Sequence, residues 1–144
     1  MKKLLLFAVA AVMAYGYLQG PDIGLPGASG WRQEGNSAVT AAYRDRQSDV
    51  QVQGEGVVTR VLPDDLDGSR HQRFVLDVGA GQTVLVAHNI DLAPRVRDLQ
   101  TGDTVEFYGE YEWNEKGGVV HWTHRDPQNR HPAGWLKHAG ATYQ

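Results

Sequence analysis

The sequence predicts a mainly β fold: a small five-stranded barrel of the OB type, with one short helix between strands three and four and an N-terminal signal or anchor helix ahead of it. Three observations carry this expectation. From Val50 onward, apolar and polar residues alternate in short runs, as half-buried strands require. Glycine-rich stretches, above all Gly79-Ala80-Gly81, separate the runs as tight turns. Asp91 to Leu99 breaks the alternation and reads as helical, with Pro94 tolerated only in a first turn. Three strands, a helix and a two-strand hairpin is the element order of an OB barrel.

At the N-terminus, Lys2 and Lys3 precede an uncharged apolar run from Leu4 to Leu18. That run is short for a membrane span and suited to a signal h-region. Residues 1–18 are expected to be a signal peptide cut after Ala14 or Gly16, or a retained tether in the inner membrane. Either outcome places the domain outside the cytoplasm, in the periplasm. Residues 19–36 are rich in Gly, Pro and Ser and read as a flexible linker. Residues 37–49 read as a short helix that Ser37 could cap, with a thin face of Ala38, Ala41 and Ala42.

The barrel is expected over residues 50–124. In its first strand Gly54 and Gly56 interrupt the alternation, and a shift of apolar phase after Gly56 predicts a bulge. Phe74, Leu76 and Val78 share one face of the second strand, and Val84, Val86 and His88 one face of the third. The fourth strand puts Val105, Phe107, Tyr111 and Trp113 on one side and Glu106, Tyr108, Glu110 and Glu112 on the other. Asn114 to Gly117 turns the chain into a fifth strand, whose Val120 and Trp122 are expected to face inward. Residues 125–144 read as a C-terminal tail packed on the barrel, with Trp135 and Leu136 plugging it.

Composition narrows the function classes. Without cysteine there is no disulfide framework, no thiolate metal site and no Cys nucleophile. A formal charge of −3 argues against strong nonspecific nucleic-acid binding. Arg125, Arg130 and Lys137 interleaved with Trp135 and Tyr143 nevertheless leave a single-stranded backbone in play as a partner for the tail. Ser69, before Arg70 and His71, lacks a nucleophile elbow, and no loop has the form of a phosphate cradle.

The histidines carry the chemistry. A hairpin centred on Ala80 sets His71 opposite His88 and Asn89. In an OB barrel strand five runs parallel to strand three, which brings His121, His124 and Asp126 to the same pole. The candidate ligand-binding residues are therefore His71, His88, Asn89, His121, His124 and Asp126, with Asp64, Asp65 and Asp67 in the adjoining first loop. If a divalent transition metal binds, His71, His88 and His124 would hold it. The alternatives are a buried polar network in which these side chains satisfy one another and the loop backbone, and a histidine site for phosphate or another anion. Asp64 to Gly68 has the spacing of a calcium loop but not its closing Glu, so an acidic turn accounts for it as well.

Long, uncommon strings carry a resemblance. They are Asp64 to Phe74, His88-Asn89-Ile90, Gly109 to Asn114, His121-Trp122-Thr123-His124-Arg125-Asp126-Pro127 and His131-Pro132-Ala133-Gly134-Trp135. In these the chain, from about Ala42 to Gln144, resembles an exported proteobacterial family catalogued only as a domain of unknown function. The resemblance implies an exported, OB-like barrel and no activity. The expected function is an exported binding or interaction module with a His/Asp-rich pole. Its ligand is left open among a small molecule, an oligonucleotide and an envelope protein. The alternative is a metal-dependent hydrolase acting on a phosphodiester or similar bond, with His124 or Asp126 handling protons.

Overall fold

A computed structural model describes residues 35–144 of the chain. The signal or anchor expected over residues 1–18, and all of the expected linker except Gly35 and Asn36, lie outside the described residues. The described chain is mainly β, with one helix, α1 (Ser37–Arg44), and seven strands. The strands are β1 (Val50–Asp65), β2 (His71–Gly79), β3 (Gln82–Asn89), β4 (Thr104–Glu112), β5 (Val119–His121), β6 (Trp135–His138) and β7 (Ala141–Tyr143). Among the described residues no helix is long and apolar enough to cross a membrane.

Five strands close into a ring. β1 pairs antiparallel with β2, β2 with β3, and β4 with both β5 and β1, while β3 and β5 run parallel. One residue in two faces inward: Phe74, Leu76, Val84, Val86, Val105, Phe107, Tyr111 and Val120 are all at most 1% exposed. Burying side chains of this size is the main stabilising term of the fold. Tyr111 keeps its hydroxyl satisfied by donating to the Gly117 carbonyl at 2.8 Å, and burial pushes its pKa up to about 12.

The first strand departs from the expected phase shift at Gly56. Val52, Gly54, Gly56 and Val58 all point inward without interruption. The glycines sit there because nothing larger fits: a Cβ at Gly54 would lie 2.5 Å from Asn36 Oδ1 and 2.6 Å from the Phe107 ring. One at Gly56 would lie 2.8 Å from the Asp77 carbonyl oxygen. The register shifts come later, between Val58 and Arg60 and between Leu62 and Asp65.

The helix expected at Asp91 to Leu99 is absent; the connection is a series of turns. Apart from one i−4 bond, from the Ala93 amide to the Asn89 carbonyl at 3.2 Å, its backbone is bonded largely by side chains of the sheet. Asn89 Oδ1 accepts from the amides of Asp91 (2.9 Å) and Leu92 (3.2 Å). Gln72 takes the Val96 amide at 2.9 Å and donates to the Val96 carbonyl at 3.1 Å. Pro94 supplies no N–H, and its carbonyl accepts from His88 at 2.9 Å. The helix α1 packs instead at the hairpin end of the ring. There the Asn36 amide donates to the Glu55 and Val78 carbonyls, both at 2.8 Å.

The expected tail is laid over the barrel only as far as Gly134; from Trp135 to Tyr143 it forms two further strands of the sheet. β6 pairs with β4 through Val105 to Tyr108, and β7 pairs with β6. Leu136 is 0% exposed within the core. Trp135 is only half-buried, against Tyr108 with ring centroids 6.2 Å apart and under the Lys137 ammonium at 4.4 Å.

Candidate functional site

The β2–β3 register pairs His71 with Asn89 and Gln72 with His88, and places the turn Ala80-Gly81 at the far end. The parallel pairing of Val86 with Val120 then carries residues 122–126 toward the His71 end. At this pole three of the expected histidines approach one another. His88 is fully buried, its Nδ1 is 2.7 Å from Thr123 Oγ1 and its Nε2 is 2.9 Å from the Pro94 carbonyl. A carbonyl only accepts, so Nε2 carries the hydrogen and Nδ1 accepts from the Thr123 hydroxyl. The His88 pKa is lowered to about 4, chiefly by burial and in smaller part by the fields of nearby His124, His71 and Arg95, against the opposing Pro94 bond.

A metal held by His71, His88 and His124 would need a lone pair on His88, and both of its ring nitrogens are engaged. The other two imidazoles are also turned to local backbone. His71 Nδ1 lies 2.7 Å from the Ser69 carbonyl and His124 Nδ1 lies 2.7 Å from the Arg125 carbonyl. Asn89 builds the turn after β3, as described above. The Asp126 carboxylate accepts from the amides of Gln128 (2.9 Å), Arg130 (2.9 Å) and His131 (3.1 Å), bonds that hold its pKa below the usual carboxylate range.

The first loop is tied down in the same way. Asp64 pairs with Arg95, and Arg70 Nε lies 2.7 Å from Asp91 Oδ1, so two ion pairs join the loop to the β3–β4 connection. Asp91 also accepts from the Arg70 amide at 2.8 Å, and that bond, ahead of the guanidinium, lowers its pKa. Asp65 Oδ1 accepts from the Asp67 amide at 3.0 Å, the bond of an ordinary Asx turn. Around these polar groups lie Val61 (47% exposed), Leu66 (69%) and Leu92 (46%), the exposed large hydrophobic residues of the described chain.

His121 does not join the pole. Trp122 has a φ of +53°, a left-handed conformation that ends β5 and turns Thr123 inward in its place. The expected inward Trp122 is therefore half-buried on the outside, stacked on His131 at 4.1 Å and 12°. His121 is paired with Glu110 across the β4–β5 hairpin and faces outward with it. Its Nε2 lies 3.3 Å from Glu110 Oε2 and 3.5 Å from Glu112 Oε1, and His131 Nε2 lies 3.5 Å from the same Glu110 oxygen. Sequence reasoning missed Glu110, Glu112 and His131. Counting back across the Asn114–Gly117 turn from His121 to Glu110 would have found the first; His131 reaches the face through an irregular loop and leaves no periodic signal.

One comparison places the chain. A family model described as "Protein of unknown function (DUF3465)" matches residues 28–144, and the chain therefore belongs to that family. A comparison with curated proteins gave no match.

Proposed function

We propose that this DUF3465 chain is an exported binding module built on an OB-type barrel, and that it meets a polypeptide of the cell envelope at the His71 pole. The OB reading is supported by the ring order, β1-β2-β3-β5-β4 and back to β1, with β3 and β5 parallel. Export is supported by Lys2-Lys3 ahead of the run from Leu4 to Leu18. One observation carries the binding surface: of the exposed large hydrophobic residues of the described chain, Leu66 and Leu92 lie on the two segments that the Asp64–Arg95 and Arg70–Asp91 ion pairs join, and Val61 precedes the first of them on β1. Exposed apolar side chains beside charged pairs are typical of protein contacts. They are aliphatic, which favours a polypeptide over stacked bases. A hydrolase is disfavoured because the Asp126 carboxylate, one of its two proton carriers, already accepts three backbone amides.

A photo-crosslinking residue at Leu66 or Leu92, introduced in the producing cell, should give a discrete adduct with an envelope protein. The same residue at Thr83, at the opposite end of the β2–β3 hairpin, should not. Adducts of equal yield from all three positions, or none from Leu66 and Leu92, would overturn the reading.

A further inference from the structure

We propose that Glu110, Glu112, His121 and His131 form a divalent transition-metal site, for which zinc is the natural probe, on the outer face of β4 and β5. It uses none of the histidines gathered at the His71 pole and does not depend on the function proposed there. The ligand atoms of Glu110, Glu112 and His121 all lie within 4.8 Å of one another, and His131 joins this group through Glu110 alone, at 3.5 Å. Two imidazole nitrogens and two carboxylates are a donor set that zinc accepts.

The distances distinguish this from simple ion pairing. Charge-assisted N–H···O bonds run at about 2.7–2.9 Å. Here the nitrogen–oxygen separations are 3.3, 3.5 and 3.5 Å. Zinc with ligands at about 2.0–2.2 Å places neighbouring tetrahedral ligand atoms about 3.4 Å apart. His121 Nε2 is enclosed yet makes no hydrogen bond. His131 Nδ1 lies 2.9 Å from the Pro132 carbonyl, so the hydrogen of the neutral ring sits on Nδ1. Its Nε2 lone pair then faces Glu110, a clash of negative charge that a cation between them removes. A backbone carbonyl fixing the tautomer of a liganding histidine is the usual outer-shell arrangement.

The surroundings hold the fourth ligand in place. Asp126 accepts the His131 amide, and the Trp122 ring lies flat against the His131 imidazole. No Lys or Arg pairs with Glu110 or Glu112 among the described residues, so the two carboxylates have no fixed cation. Glu110, Glu112 and His121 supply three ligands, and His131 closing on the ion would supply the fourth, so that the site is structural and fastens the loop after β5 to the β4 edge.

Zinc titrated calorimetrically into the metal-free full chain should bind one ion per chain and raise the melting temperature. Bound Co(II) should give the visible absorption of a four-coordinate site. Glu110→Gln and His131→Ala should each weaken zinc binding about tenfold or more. Their metal-free melting temperatures should stay near the parent's, since neither side chain donates or accepts a bond that holds the core. His71→Gln and His124→Gln should bind zinc as the parent does. The proposal fails if the parent binds no zinc, if both ligand variants keep its affinity, or if the loss appears in His71→Gln or His124→Gln instead.

Discussion

His88 is the most strongly perturbed titratable group at the pole, and its perturbation has a measurable consequence for stability. Its pKa falls from 6.5 to about 4 because burial excludes the charged form. In the unfolded chain the imidazole takes up its proton first, so lowering the pH through this interval favours unfolding. The stabilisation from keeping His88 neutral is complete above about pH 6.5 and is lost progressively toward pH 4, amounting to about 3 kcal/mol. The depressed carboxylates Asp91, Asp103 and Asp126 act in a lower window. Their folded pKa values lie below 3.8, so their contribution is lost only as the pH falls past it. Urea denaturation between pH 7.5 and 4.5 should therefore show a steep loss of stability in the parent and a much shallower one in His88→Gln. Equal slopes in the two proteins would mean that His88 titrates as freely in the fold as outside it.

At the scale of elements, the β3–β4 connection shows what holds irregular chain in place. Gln72 is buried on β2 and makes both of its bonds to Val96, which is 1% exposed. Gln72→Leu keeps the side-chain bulk but leaves a buried N–H and C=O unpaired, each costing about 1–3 kcal/mol. The variant should lose about 2–4 kcal/mol in denaturation, and the Val96 amide should exchange with solvent much faster than in the parent. A loss within about 0.5 kcal/mol of zero would show that water replaces Gln72. The same bonds explain which elements could be foreseen. The strands were legible because inward residues recur every second position in Phe74-Leu76-Val78 and Val105-Phe107, a local pattern. The absent helix was not, because what replaces its internal bonds comes from Gln72, His88 and Asn89 on other elements. The parallel β3–β5 pairing makes the approach of His71, His88 and His124 a matter of topology. His121 parts from them at a single left-handed residue, Trp122, for which alternation gives no warning.

For the whole molecule, the question is what closes the ring at the His71 pole. β5 is only three residues long and covers β4 from Glu110 to Glu112. The rest of that β4 edge, Val105 to Tyr108, is paired by β6. Leu136 enters the core at 0% exposure, and Tyr143 follows at 8% from β7. The same hairpin grips the β3–β4 connection: Tyr143 Oη accepts from the Arg97 amide at 3.3 Å, and buried His138 Nε2 lies 2.8 Å from Asp103 Oδ2. Residues 135–144 thus complete both the sheet and the core, although they follow the five ring strands in sequence. A chain ending at Ala133 would expose an unpaired β4 edge and open a core void where Leu136 stood. Loss of Leu136 alone, as Leu136→Ala, should cost about 2–5 kcal/mol. Removing the hairpin should abolish the cooperative transition, since most domains have only about 5–15 kcal/mol in total. Near-ultraviolet circular dichroism should then lose its aromatic signal, and the freed edge should promote association. A truncated chain that stays monomeric and melts cooperatively within a few degrees of the parent would show that the five strands suffice. In that case β6 and β7 would be an addition to the fold and not its closure.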